Sequence, residues 1–151
     1  MIAYRVDPSS GCTTSVWDGN IGPGDVQQHL LLLAADRGWP PGPLHLTDLT
    51  TITRADIPDP ELLDLLYEGT NLAEELKVAV VVHPEFLRSS GPQFTTAASA
   101  MRAMTFTDLD PACAHLGIDA AAARATISDL REELRRHDIH TCGGHSGSGI
   151  S

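Results

Sequence analysis

Residues 2–6, within a short segment where apolar and polar positions alternate, and residues 12–17 read as two strands. Asp7-Pro8-Ser9-Ser10-Gly11 lies between them and is turn chemistry, so the chain is predicted to open with a hairpin. Asp18-Gly19-Asn20 and Gly22-Pro23-Gly24 read as further turns. The period then becomes helical over 25–36, with Val26, Leu30 and Leu33 on one face. Residues 38–43, Gly-Trp-Pro-Pro-Gly-Pro, form a stiff connector that excludes helix. Residues 44–49 predict a third strand and 78–82, a continuous apolar run of β-branched valines broken only by Ala79, a fourth. A strand apolar on both faces needs cover on both faces, which implies a sheet with helices packed on it.

Between those strands, a helix is predicted from about Asp59, with Pro60 at its first position and Leu62, Leu63, Leu66 and Leu72 on its apolar face. Strand, helix and strand in that order favour a parallel pair joined by a crossover. Ser89 or Ser90 is placed to cap a helix running to about Met101, and residues 104–106 suit a short fifth strand. Asp110 is placed to cap a short helix over 111–116 that Gly117 closes. From Asp119 to about Arg136 runs a longer helix in which Ala123, Ile127, Leu130 and Leu134 recur at heptad-like spacing. Residues 141–151 are rich in glycine and serine and read as a linker-like tail. The fold class is therefore α+β and sandwich-like: a mixed sheet of four to five strands with an opening hairpin, helices packed on it, and an extra C-terminal helix. The domain division that follows is 1–118 for the sheet domain, 119–137 for the appended helix and 138–151 for the tail.

Composition changes this picture little. One domain suits 151 residues, enough to bury a core without disulfide or metal support. Asp and Glu outnumber Lys and Arg by 20 to 10, and a net charge of −10 argues against nucleic acid and anionic membrane surfaces as partners. Three cysteines, Cys12, Cys113 and Cys142, stand far apart without a CxxC pair, which fits reduced thiols and a cytoplasmic chain. No signal peptide is recognised, and no apolar run is long enough to span a bilayer.

Set in chain order, several segments resemble the STAS fold in its SpoIIAA-like branch of small bacterial proteins. They are Trp17-Asp18-Gly19 at the end of the hairpin, the Leu-x-Asp-Leu-Thr-x-Ile-Thr strand of residues 46–53, the strand of residues 77–82, and Met-Thr-Phe-Thr-Asp-Leu-Asp-Pro-Ala-x-Ala-x-Leu-Gly over 104–117. The resemblance covers about residues 2–118. It implies a mixed sheet without catalytic machinery that binds a protein partner or a small ligand. Anti-sigma-antagonist members carry a phosphorylated serine in a D-S-x-G motif after the third strand. This chain reads Thr50-Thr51-Ile52-Thr53-Arg54-Ala55-Asp56 there, so the phosphoswitch is not carried over.

Three constellations are candidates for chemistry. Asp48 ends a buried strand, where a carboxylate needs hydrogen bonds; with Thr50 and Thr51 it reads either as a ligand site or as a carboxylate holding its own loop. Arg88-Ser89-Ser90-Gly91 reads as an anion site at a helix start or as an ordinary cap with a turn glycine. His137, His140, Cys142 and His145 put four zinc-type ligands within nine residues; the alternative is a helix end and a tail without metal. No other cofactor is expected. His45 and His83 fall on strands and approach each other if those strands are neighbours. The seam of Ile127, Leu130 and Leu134 is the candidate interaction element; it packs on its own sheet or pairs with a second copy in a homodimer. No residue set presents an activated nucleophile or general-base pair, so an enzyme is disfavoured. The resulting expectation is a non-enzymatic binding or regulatory module acting through a protein partner. The alternative is a small-molecule or lipid carrier with a cavity among Leu30, Leu33, Leu62, Leu66, Val80 and Phe94.

Overall fold

The computed structural model describes residues 1–35, 44–55, 77–89 and 103–142. Strands β1 (Ile2–Asp7), β2 (Cys12–Ile21), β3 (Leu44–Ala55), β4 (Lys77–Val81) and β5 (Ala103–Phe106) form a single sheet whose spatial order repeats the chain order. β1 and β2 are antiparallel, in register from Ile2 opposite Trp17 to Asp7 opposite Cys12. Every later pairing is parallel. This is the mixed sheet with an opening hairpin that the alternation predicts.

Two strands are longer than their patterns suggest. β2 continues through Asp18-Gly19-Asn20 to Ile21, and β3 continues through the threonine-rich stretch to Ala55. The predicted turn at 18–20 is instead a distorted ladder. Its register slips between Val16 and Asp18 and again between Gly19 and Asn20, and at each slip β3 carries one residue more than β2. Such bulges sharpen the local twist, and Gly19 absorbs it with φ near +74°, a region that costs other residues strain. The supposed turn residues thus pair with Thr51, Ile52 and Arg54.

Three helices are fully bounded. α1 (Pro23–Ala35) starts with a reciprocal cap: the Gly22 N–H donates to Asp25 Oδ2 at 2.8 Å, while Gly22 O accepts the Asp25 N–H at 3.1 Å. α2 (Leu109–Leu116) starts after Asp108 rather than at Asp110, and the Asp108 side chain accepts no capping hydrogen bond. Asp110 instead accepts Arg124 of the next helix at 3.0 Å. Gly117 closes α2 at φ near +72°, its N–H reaching Ala114 O while Ile118 N–H reaches Cys113 O. α3 (Ala120–Cys142) is capped by Asp119, whose Oδ2 accepts the Ala122 N–H at 3.2 Å. It runs beyond Arg136 and into the predicted tail, because no glycine or proline intervenes before Gly143.

Residues 84–89 form a further helical turn. His83 Nδ1 accepts the Glu85 N–H at 3.2 Å and Pro84 takes the first position, so helix begins about six residues before the expected serine cap. The helix expected from Asp59, the connector at 38–43 and the stretch to Met101 lie outside the described residues.

The two sheet faces differ in kind. On one, Ala3, Cys12, Val16, Leu46, Ala79 and Val81 meet Ala112, Cys113 and Leu116 of α2 and Ala123, Ile127, Leu130 and Leu134 of α3. The heptad-like seam is thus buried on its own sheet: Ile127, Leu130 and Leu134 are all nearly inaccessible, and the pairing with a second copy entertained for them has no exposed apolar face to use. On the other face, Leu49, Val78, Val80 and Val82 form one apolar cluster and Ile2, Ile21 and Val26 another, with Trp17 and Ile52 packed against both.

Candidate functional site

Asp48 does not end its strand. It lies mid-way along β3, beside Val16 and Val81, on the face covered by α3. Its Oδ1 accepts the backbone N–H of Thr50 at 2.8 Å and the Thr50 hydroxyl at 2.6 Å. Its Oδ2 accepts Arg131 Nη2 of α3 at 2.7 Å, and the same nitrogen donates to Thr50 Oγ1 at 2.6 Å. The first β3 bulge falls between Asp48 and Thr51, at this cluster. Arg131 was not singled out in the sequence, since nothing in its spacing separates it from Arg124, Arg135 or Arg136. Thr51, the third predicted member, is exposed and outside the cluster. With both carboxylate oxygens engaged and Arg131 two-thirds covered, the group holds strand to helix.

The Arg88–Gly91 candidate separates. Arg88 and Ser89 lie at the end of the 84–89 turn, exposed, where Ser89 Oγ donates to Phe86 O at 3.2 Å and Arg88 lies 3.9 Å from Glu85. Ser89 is the last described residue of this turn; Ser90, Gly91 and the helix expected after them lie outside the described residues. In the zinc candidate, His137, His140 and Cys142 fall on the α3 backbone, where positions 140 and 142 are about 200° apart around the axis. His145 lies outside the described residues, and among the described residues no group of three or more metal-ligating side chains occurs.

A groove of about 480 Å³ opens between the β1–β2 turn and the start of α3, lined by Arg5, Asp7, Ser9, Ser10, Asp119 and Thr126 among others. Its polar groups already satisfy one another. Asp7 accepts the Ser9 N–H and the hydroxyls of Ser9 and Ser10, bonds that hold its carboxyl below the usual carboxylate range. Arg5 reaches across to Asp129 and Glu133 of α3 at 3.4 and 2.8 Å.

The most unusual polar surface lies beneath α1, built from residues scattered along the chain. Thr13, Ser15, His29 and His45 are all buried there. His45 sits beside Thr13 across the β2–β3 ladder, five residues of β4 away from His83, so the imidazole that nears His45 is His29 of α1. His83 is exposed and occupied as a cap. Ser15 Oγ donates to Thr47 Oγ1 at 3.2 Å. The His29 ring meets Tyr4 and Trp17 edge-on, with centroids at 5.6 and 5.9 Å. Burial pushes the His29 pKa down to about 3, with the neighbouring His45 adding to the shift, and burial pushes His45 down to about 4. Both imidazoles are neutral at physiological pH. Alternation alone puts Thr13 and Ser15 on one strand face but cannot reveal that a helix closes over it.

No family model matches the chain, and neither the curated proteins nor the solved structures contain a match. No helix among the described residues is long and apolar enough to cross a membrane.

Proposed function

We propose that this chain is a non-enzymatic binding or regulatory module of the STAS/SpoIIAA-like kind that works through a protein partner, docking it on the outer face of α1. One observation carries this reading. Leu31 and Leu32 are 58% and 37% exposed, on a helix whose opposite face buries Val26, His29 and Leu33. Two adjacent leucines facing water on a packed helix are an unused apolar contact. Gln27 and Gln28, also exposed, extend the strip without charge. The apolar seam of α3 is consumed inside the fold, which among the described helices leaves α1 with leucines to spare. A chain of net charge −10 favours a partner whose contact is an apolar groove with a basic rim.

The test is photo-crosslinking from position 28 of the full chain in its host cytosol. The expected result is one discrete adduct with a basic protein, lost in Leu31→Asp while circular dichroism is unchanged. Adducts with further copies of this chain alone, or an adduct indifferent to Leu31→Asp, would overturn the proposal.

A further inference from the structure

We infer that the region between α1 and the β1–β2–β3 surface is a binding site for a small uncharged molecule that presents a carbonyl-type acceptor, seated against Thr13, Trp17 and His29. The inference goes beyond partner docking, which uses the opposite face of the same helix.

A sheet face beneath a helix is ordinarily aliphatic. Beneath α1, beside the apolar cluster of Ile2, Ile21 and Val26, the chain also buries hydroxyls and imidazoles. Some of them pair internally, as Ser15 and Thr47 do. Among the described residues four buried side-chain atoms have no hydrogen-bond partner; Arg131 Nε lies on the opposite face, and the other three are Thr13 Oγ1, Trp17 Nε1 and His29 Nδ1. Buried polar atoms in native folds nearly always have a partner, in protein, water or ligand. Two of these residues, Thr13 and His29, are 2% and 4% exposed. Trp17 and His29 are in ring contact, and Thr13 lies on the same face of β2 as Trp17. Trp17 and His29 therefore share one patch, and Thr13 lies four residues along that face of β2, about 13 Å away.

The chemistry of the patch selects the class of ligand. An indole N–H only donates, so whatever meets Trp17 must accept. A threonine hydroxyl and a neutral imidazole nitrogen adapt to either role. The other residues buried on this face, Ser15 and His45, carry no fixed charge, whereas the one buried carboxylate among the described residues, Asp48, lies on the opposite face with Arg131. A charged guest would find no counter-ion here. The edges of Tyr4, Trp17 and His29 suit a flat guest.

The experiment is a nitrogen–proton NMR titration of the full chain with benzamide, benzoate and benzamidine, three near-isosteric probes that are neutral, anionic and cationic. The Trp17 indole resonance is assigned by its persistence in Trp39→Phe. The expected result is a saturable shift of that resonance with benzamide, with affinity weakened at least tenfold in Thr13→Val and in His29→Leu, and at least tenfold weaker binding of both charged probes. Thr13→Val keeps size and shape, so it reports even where His29→Leu perturbs the fold. Silence from all three probes at 20 mM (about the weakest useful fragment affinity), or crystals showing ordered water alone at the three atoms, overturns the site. Equal binding of benzoate or benzamidine overturns the uncharged class, and benzamide binding indifferent to both variants overturns the location.

Discussion

Arg131 and Asp48, 83 residues apart in the chain, are joined by a 2.7 Å ion pair that ties the last helix to the middle strand of the sheet. Asp48 is almost fully covered and Arg131 two-thirds covered. Removing one partner from such a pair strands the other charge and costs about 3 kcal/mol, the lower end of the usual range because Arg131 keeps some solvent. Arg131→Met is therefore expected to lower the urea midpoint strongly. Asp48→Asn should do less harm, since an amide still accepts from Thr50. The pairing requires that Arg131→Met be much less costly in an Asp48→Asn background. Additive losses in that double-mutant cycle would remove the coupling.

The two buried histidines make stability fall in mild acid. Unfolded, each imidazole titrates near 6.5; folded, burial holds His29 to about 3 and His45 to about 4. Between those values the unfolded chain binds protons that the folded chain refuses. Stability is therefore full above pH 6.5 and drains as pH falls toward 4 and then 3. Each histidine adds a slope approaching about 1.4 kcal/mol per pH unit inside its window. Urea unfolding at pH 7, 6, 5 and 4.5 is expected to show a steep loss, reduced by about one proton in His29→Leu. An unchanged slope in that variant would place the titration elsewhere.

Gly19 offers a test of the bulged ladder. An added Cβ would meet nothing within 4 Å, so its cost is backbone strain alone. Gly19→Ala should destabilise by about 1 kcal/mol and Gly19→Asn by less, because asparagine tolerates positive φ. A loss above about 3 kcal/mol would mean that the position is closely packed.

Leu130 is fully buried at the centre of the α3 seam. Leu130→Ala should cost about 2–5 kcal/mol by opening a cavity against the sheet. Light scattering should find the same oligomeric state before and after, because the side chain points inward. A change of state without loss of stability would return the seam to an intermolecular role.

Much of the architecture was legible. Valines at 78–82 required a doubly covered strand, and β4 is buried along its length except at Lys77. The heptad-like seam of α3 was legible too, but periodicity says which face is apolar and not what it packs on. Asp18-Gly19-Asn20 misled because glycine between two polar residues has the same sequence signature in a turn and in a bulge. β3 outran its expected end because Thr50–Thr53, polar in pattern, is β-branched in backbone preference. At the candidate sites, Asp48 and Thr50 were found because they are close in sequence. Arg131 and His29 were missed because their partners come from distant segments, and one sequence carries no record of which distant residues meet.

Because the strands lie side by side in the order in which they are made, a growing chain can add each one to a neighbour already present. The cover does not arrive in that order. α3, the last element described, packs on β1 and β2, the first. During synthesis the apolar underside of the opening hairpin therefore waits for nearly the whole polypeptide before it is shielded. Truncation within α3 is therefore expected to leave that underside uncovered and to lower the yield of folded protein.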